Sequence, residues 1–185
     1  MAIEEYYRCF AKAPDRHAFA GLMEKFGFTR FDAWGGGAEN YEEVWAPADK
    51  ASAVNYVEDV IAQLPYLCIR QQSGGLLLDA LTEHVKLETP EELIAFAKTD
   101  PPNNVLVETL YKIAITFPEY DAAAANILGG AAARHPLRTV RGAALEAIAY
   151  RAWPLMRPAV EALSASADDA GLRDHAREIL GRWPA

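Results

Sequence analysis

Residues 140–148 read VRGAALEAI, and the same order of apolar, basic and small residues returns as LRDHAREIL over residues 172–180. A third stretch, VLVETLYKI over residues 105–113, keeps the apolar positions. The starts of the three stretches lie 35 and 32 residues apart. Spacings in that range are typical of stacked helical hairpins, because one hairpin cannot bury its apolar face alone. The sequence therefore predicts a helical C-terminal half with an extended surface for other macromolecules.

Apolar residues recur at helical spacing through the last 85 residues, beginning after Pro101 and Pro102. Five such stripes, separated by short connections, predict five helices that pack as antiparallel neighbours. The stripes are Leu106, Leu110, Ile113 and Phe117; Tyr120, Ala124, Ile127 and Ala131; Val140, Ala144, Ile148 and Ala152; Met156, Val160 and Leu163; and Leu172, Ala176, Ile179 and Trp183.

This half of the chain resembles HEAT repeats. The resemblance rests on the steps Val140-Arg141 and Leu172-Arg173, each followed by an alanine three positions after the arginine. In HEAT repeats that arginine commonly pairs with an aspartate at the start of the same helix. Asp169 stands four residues before Arg173, as the family pattern requires.

The other two copies depart from the pattern, since Leu137 and Pro102 occupy the aspartate positions and Leu106 replaces the arginine. One full motif and one partial motif are therefore present. The resemblance implies a short right-handed α-solenoid of HEAT-like antiparallel helix pairs over residues 103–185. It does not reach the N-terminal half.

Residues 1–100 are predicted to form an acidic, mainly helical region that packs with the repeats as one continuous unit. The pair Thr89-Pro90 predicts a helix start, with a capping threonine followed by proline at the first helical position. The chain as a whole is therefore expected to be all-α or nearly so. The other predicted elements are helices around residues 3–10, 19–26, 49–64 and 76–85, an irregular loop or hairpin at residues 27–47, and a short β-like run at residues 66–70 whose pairing is open.

Charge is distributed unevenly along the chain. Residues 1–100 carry 17 acidic and 9 basic side chains, whereas residues 101–185 carry 9 of each. All of the net charge of −8 therefore belongs to the first half. Such a field repels nucleic acid and favours basic partners. We expect a basic protein, and no nucleic acid, as the partner.

Targeting signals are not evident in the sequence. The apolar runs are far shorter than the roughly 20 residues that span a bilayer. The first residues do not follow the pattern of a positive segment and then an apolar one that marks a secretory signal. We expect a cytoplasmic protein without membrane contact. The two cysteines, Cys9 and Cys68, are expected to be buried free thiols.

Recognisable catalytic, cofactor and metal motifs are also missing from the sequence. The four histidines have no metal-ligand spacing, and Gly35-Gly36-Gly37 lacks the lysine and hydroxyl residue of a phosphate-binding loop. We interpret the glycines as a flexible turn. Neighbouring acids such as Glu91-Glu92 point about 100 degrees apart on a helix and do not converge. An active site of dispersed residues stays open as an alternative.

The segment of residues 31–45 is the candidate partner-binding surface. Aromatic side chains, which anchor interfaces through large rigid contact area, alternate there with carboxylates that attract basic groups. An alternative is that the aromatics, Phe31 among them, pack into the protein's own core while the acids keep the segment in water. The candidate partner-binding residues are Asp32, Trp34, Glu39, Tyr41, Glu42, Glu43 and Trp45.

These features predict a non-catalytic protein that binds one partner stoichiometrically. A concrete version is an immunity protein whose acidic surface covers the cationic groove of a basic bacterial toxin. One competing hypothesis is an enzyme with a dispersed small-molecule site between the two halves. Another is a structural subunit of a larger assembly. Fold resemblance alone does not decide among these.

Overall fold

A computed structural model describes residues 2–72 and 74–184 of the chain. The chain divides into two compact units, Met1–Thr89 and Pro90–Ala185, here called the N-terminal unit and the C-terminal unit. The elements in chain order are β1 (Ile3–Cys9), α1 (Arg16–Lys25), β2 (Thr29–Gly36), β3 (Glu39–Ala46), β4 (Ala53–Asp59), β5 (Leu64–Gln72), α2 (Leu77–Thr82), α3 (Pro90–Ala97), α4 (Asn103–Thr116), α5 (Ala122–Arg134), α6 (Arg138–Arg151), a short 3₁₀ helix (Pro154–Met156), α7 (Arg157–Ser166) and α8 (Ala170–Gly181).

The N-terminal unit is built on a five-stranded antiparallel sheet with strand order β1-β5-β4-β3-β2. Strands β2 to β5 follow one another as a meander, and β1 closes the sheet beside β5. Helix α1 connects β1 at one edge to β2 at the other. The two edge strands are therefore β1 and β2.

One face of the sheet carries the core of the N-terminal unit. Phe19 and Met23 on α1 are fully buried, and Phe19 packs 5.1 Å, centroid to centroid, from Tyr56 on β4. Asp15 caps α1 by accepting hydrogen bonds from the backbone N–H groups of residues 17 and 18. The buried core residues are Phe10, Phe19, Met23, Phe28, Trp45, Val54, Tyr56, Leu67, Ile69, Leu81 and Leu87.

Two helices predicted in this unit are strands. The segment predicted as a helix at residues 3–10 contains β1 (Ile3–Cys9), which pairs with β5 from Ile3 opposite Gln72 to Cys9 opposite Tyr66. This pairing joins residues more than 50 positions apart, so a local window cannot detect it. Residues 49–64 contain β4, in which residues 54–57 are all buried. A strand buried at consecutive positions loses the alternating pattern by which strands are recognised.

Other predicted elements agree with the structure. Helices α1 and α2 lie in the segments predicted to be helical, and α3 begins at Pro90 as the capping sequence indicates. The run at residues 66–70 is part of β5, which pairs with both β1 and β4. Residues 27–47 form a hairpin with two register shifts, which is the hairpin alternative of that prediction.

The C-terminal unit consists of helices α3 to α8 around a separate apolar core. Arg151 on α6 donates hydrogen bonds to the carbonyl oxygens of Ala114 and Ile115 in the last turn of α4. Helix ends leave such carbonyls without partners, so this arginine caps α4. The buried core residues include Leu93, Leu106, Leu110, Ile113, Leu128, Val140, Leu145, Ile148, Trp153, Met156, Val160, Leu172 and Ile179.

The prediction of an all-α fold with a HEAT-like α-solenoid is wrong, because the chain is a mixed α/β protein. Strands make up 23% of the residues and helices 49%. The pair expected from the HEAT pattern is also not formed. Asp169 caps α8 through the backbone N–H of Leu172 and lies 3.6 Å from Arg138, while Arg173 donates to the carbonyl of Ala167.

The three similar stretches lie on α4, α6 and α8, where their apolar positions face the core. Any amphipathic helix that packs against other helices needs such a stripe of apolar residues. The similar spacing of the three stretches is therefore explained by helix packing and does not indicate a repeat family.

In the part of the chain that the structure describes, no helix combines the length and the apolar character needed to cross a membrane.

Candidate interaction surface

The hairpin of β2 and β3 stands at one edge of the sheet and turns at three glycines. Gly35, Gly36 and Gly37 all have positive φ angles, of 80°, 105° and 70°. A Cβ atom on Gly35 would lie 1.8 Å from the carbonyl oxygen of Asn40. Only glycine allows this backbone approach. The glycines therefore form a tight turn that joins two strands.

Asn40 fastens the hairpin to the turn between β4 and β5. Its Oδ1 accepts a hydrogen bond from the backbone N–H of Val60 at 3.0 Å, and its Nδ2 lies 3.4 Å from Asp59. Asp59, which is 4% exposed, also accepts from the N–H groups of Ile61 and Ala62 at 2.8 Å each. The turn end of the hairpin is therefore held in place by side-chain hydrogen bonds as well as by the backbone hydrogen bonds between the strands.

The alternation of β3 divides the predicted site between the two faces of the sheet. Trp45 is 3% exposed and belongs to the core on the α1 side. Glu43 and Tyr41 point to the same side, since side chains two positions apart in a strand share a face. The Arg16 guanidinium of α1 lies 3.8 Å from the centre of the Tyr41 ring. Glu42 points to the opposite face.

Glu43 is a buried carboxylate whose oxygens are occupied by its neighbours. It is 2% exposed and accepts hydrogen bonds from Trp45 Nε1 at 3.1 Å and from the Tyr41 hydroxyl at 2.6 Å. Arg30 Nη1 on β2 lies 3.4 Å from it and balances its charge. Burial and the bond to Glu43 raise the pKa of Tyr41. Glu43, Tyr41 and Trp45 therefore set the shape of the hairpin.

The outer strand of the hairpin is exposed along its whole length. All eight residues of β2 are exposed, including Phe31 at 63% and Trp34 at 47%. Asp32 on β2 and Glu39 at the start of β3 are exposed as well. Lys50 Nζ lies 4.4 Å from the centre of the Phe31 ring. Aromatic rings and carboxylates thus share the free edge of the sheet.

A residue that the sequence prediction missed lies behind this edge. Asn55 on β4 donates from Nδ2 to Glu42 at 2.5 Å, and it is 8% exposed. Its Oδ1 is buried without a hydrogen-bond partner among the described residues. The prediction of a helix over residues 49–64 concealed it. The available signal was one asparagine inside the apolar run AVNYV of β4.

A second polar cluster lies on β1 and β5, around Glu5. Its carboxylate accepts hydrogen bonds from the Tyr7 hydroxyl, from Cys68 Sγ at 3.3 Å and from Arg70 Nε at 3.3 Å. The bond from Tyr7 contributes most to lowering the pKa of Glu5. Burial, followed by the bond to Glu5, raises the pKa of Cys68 to about 12. The Cys68 thiol keeps its proton at neutral pH and is a donor rather than a nucleophile.

Both cysteines are buried free thiols, as predicted.

Within residues 2–72 and 74–184, no group of three or more His, Cys, Asp or Glu side chains is placed to hold a metal ion. Three of the described histidines, His84, His135 and His175, have polar or ring contacts, each with a different neighbour. His175 Nε2 lies 2.5 Å from Glu146, and the His84 ring packs 5.2 Å from the Phe26 ring.

The net charge is concentrated in the unit that carries the hairpin. The N-terminal unit has 14 acidic and 8 basic residues, a net charge of −6, and the C-terminal unit has 12 acidic and 10 basic residues, a net charge of −2. Several of these acids are neutralised within the unit. Glu58, for example, forms a two-fold hydrogen-bonded ion pair with Arg16, at 3.1 and 2.5 Å.

Comparisons with models of protein families, with curated proteins and with solved structures found no match to this chain. No family model therefore supports the HEAT resemblance.

Proposed function

We propose that the protein is a non-catalytic partner that binds and neutralises a basic protein. In the specific form of this proposal it is a cytoplasmic immunity protein against a basic bacterial toxin. The observation that carries the proposal is the exposed edge hairpin of β2 and β3. Phe31 and Trp34 expose more of their surface than a role in the core explains. Exposed aromatic clusters are common at protein interfaces.

Charge indicates the kind of partner. Asp32 and Glu39 are exposed on the hairpin and Glu42 is partly exposed, within a unit of net charge −6. Carboxylates beside exposed aromatic rings attract lysine and arginine side chains and speed the encounter with a basic protein. A cationic groove that binds nucleic acid in the partner is complementary to such a surface.

The irregular register of the hairpin indicates how the partner is held. Register shifts occur between Arg30 and Asp32 and again between Trp34 and Gly36. Bulges of this kind twist an edge strand and hinder the addition of another strand by main-chain hydrogen bonds. The partner is therefore bound through side chains of the hairpin.

Four of the seven residues predicted for this surface are assigned to contact with the partner. They are Asp32, Trp34, Glu39 and Glu42, and the proposal includes Phe31 because its ring is exposed. The other three, Tyr41, Glu43 and Trp45, support the hairpin from the side of α1.

The proposal is tested with a variant that removes the two exposed rings, Phe31→Ser with Trp34→Ser. Tagged wild-type and variant proteins are incubated with the cytoplasm of the source organism, and the captured proteins are identified and quantified. We expect the wild type to retain one basic protein in a 1:1 complex. The variant should retain about tenfold less of it, because exposed aromatic anchors dominate binding energy.

Leu155→Ser is the matched control, since Leu155 is 68% exposed in the C-terminal unit and also loses an apolar side chain. It should capture as much partner as the wild type. The captured protein is then produced alone and together with each variant, and growth is measured. The proposal fails if the hairpin variant retains the same basic protein as fully as the control does. The immunity form fails if that protein is harmless when produced alone.

A further inference from the structure

The side chain of Asn55 is a buried amide with one unused hydrogen-bonding atom. The residue is 8% exposed, and its Oδ1 accepts no hydrogen bond from any described residue. Buried polar atoms in folded proteins almost always have partners, so an unpaired amide oxygen requires an explanation. A ligand that brings an N–H donor to this position provides one.

The orientation of Asn55 is set by Glu42. The Asn55 Nδ2 group donates to Glu42 Oε1 at 2.5 Å. Because Nδ2 and Oδ1 are bonded to the same carbon, the unused oxygen lies beside this carboxylate. One carboxylate and one amide oxygen are therefore close together, and both accept hydrogen bonds.

Trp34 and Asp32 complete this face of the hairpin. Trp34 is directly opposite Glu42 in the β2–β3 register, and Asp32 is opposite Val44, which in turn is opposite Asn55. Side chains at directly opposed positions share a face of the sheet. Trp34 is 47% exposed, so one part of its indole is open to a partner. The shared face thus holds an exposed aromatic ring, two carboxylates and, buried beside Glu42, an amide oxygen.

We propose that Trp34, Glu42 and Asn55 form a binding site for one arginine side chain of the basic partner. The guanidinium stacks on the Trp34 indole and donates to the Glu42 carboxylate. A small rotation of the Asn55 side chain brings Oδ1 to a second N–H group. This inference rests on the proposed function and specifies which chemical group of the partner the hairpin recognises.

Arginine fits this site better than lysine. A guanidinium is planar, stacks on aromatic rings and offers five N–H donors in a fixed fork, which match acceptors placed side by side. A lysine ammonium is a compact, strongly hydrated charge that is attracted to the carboxylates but does not use all three groups together. The site therefore discriminates between two residues of equal charge.

The test uses two probes of equal charge, blocked hexa-arginine and blocked hexa-lysine peptides, at low ionic strength. Binding to the full chain is followed by NMR through the indole N–H of Trp34 and the side-chain amide of Asn55. We expect hexa-arginine to bind about tenfold more tightly than hexa-lysine, since stacking and paired hydrogen bonds are available to arginine alone. Both reporter signals should shift with hexa-arginine.

Matched variants on the same hairpin identify the site. Trp34→Leu and Glu42→Gln should each reduce the preference for hexa-arginine to about twofold or less, because each removes one of the groups that the guanidinium uses. Phe31→Leu and Glu39→Gln remove a ring and a charge elsewhere on the hairpin, so they should weaken the binding of both peptides alike and leave the ratio of the two affinities unchanged. Trp34 is exposed on an edge strand, so its variant should keep the fold, and the test needs no substitution at buried Asn55.

Three outcomes distinguish a failure of the arginine site from a failure of the proposed function. Selective binding of hexa-arginine that depends on Trp34 and Glu42 supports both. Equal binding of the two peptides, weakened alike by all four variants, overturns the arginine site and leaves a basic partner in place. Binding of neither peptide overturns both, because an acidic recognition surface must attract one of them.

Discussion

Glu43 shows how one buried acid positions an exposed surface. Its oxygens accept from Trp45 and Tyr41, and Arg30 supplies the opposite charge from the neighbouring strand. A buried carboxylate of this kind is stable only when its hydrogen bonds are satisfied. The side chain therefore links β2 to β3 on the inner side of the hairpin.

Replacing Glu43 with alanine should lower the free energy of unfolding by about 3 kcal/mol, because buried donors and a cation lose their partner. The measurement is urea unfolding followed by circular dichroism. Glu39→Ala removes an exposed carboxylate of the same hairpin and serves as the control, with stability near that of the wild type. Equal stability of the two variants would show that the Glu43 contacts do not support the fold.

Cys68 should make the free energy of unfolding decrease at alkaline pH. Burial raises the pKa of its thiol to about 12, from an ordinary value of 9.0. Between these values the unfolded thiol has lost its proton while the folded thiol keeps it. The contribution of Cys68 to the free energy of unfolding should therefore be fully present below pH 9 and should be lost as the pH rises from 9 towards 12. The raised pKa of Tyr7, due chiefly to burial, acts in the same direction above pH 10.

Urea unfolding at pH 7.5 and pH 10 measures this loss for the wild type and for Cys68→Ser. Serine does not titrate in this range, so the variant should lose less stability between the two pH values. Identical losses would assign the alkaline effect to other groups, with Tyr7 as the first to examine.

At the scale of elements, the hairpin depends on its glycine turn. Gly35 approaches the backbone of Asn40 so closely that a methyl group overlaps the carbonyl, whereas a methyl group on Gly37 meets no atom within 4 Å. Both residues have positive φ angles. Gly35 is therefore required both by the lack of space for a side chain and by its positive φ, whereas Gly37 is required only by its positive φ.

Gly35→Ala should lower the free energy of unfolding by about 3 kcal/mol or displace the hairpin, since overlap adds to the cost of a positive φ. Gly37→Ala carries only the conformational cost, about 1 kcal/mol. Urea unfolding measures the stability, and amide hydrogen exchange in β2 and β3 reports the hairpin. Comparable effects of the two substitutions would contradict the close approach at Gly35.

Elements that depend on interactions between residues close in sequence were predicted correctly, whereas a strand that depends on a remote partner was not. Helix α3 begins at Pro90, the residue that the local capping sequence indicates. The other helices of the C-terminal unit cover segments in which apolar residues recur at helical spacing. Strand β1 was predicted as a helix because Tyr6, Tyr7 and Phe10 also fit a helical face. Its partner β5 is remote in sequence, so only the pairing resolves the ambiguity.

The candidate site divides in the same way. Residues 31–45 were chosen as the candidate site because aromatic and acidic residues alternate there without helical spacing. The sequence did not separate the supporting residues Glu43 and Trp45 from the exposed residues Asp32 and Trp34. That separation depends on which face of the sheet α1 covers. Asn55 joins the surface only because β4 pairs with β3.

At the scale of the whole molecule, the chain consists of a β-sheet unit and a helical unit with separate cores. The concentration of acid in the first part of the chain, the helical character of the last part and the two free cysteines followed from the sequence alone. These are properties of composition and of local period. The fold class was mistaken, because the apolar stripes of packed helices imitate a repeat and the sheet leaves a weak local signal.

Only the tertiary structure shows that five strands form one antiparallel sheet with β2 at one edge. It alone also shows that the Asn55 oxygen has no hydrogen-bond partner among the described residues. The physical reason is that strands obtain their hydrogen bonds from other strands, whereas helices obtain theirs from residues four positions away. Local sequence therefore determined the helices of this protein, and contacts between remote residues determined the sheet and the surface that it presents.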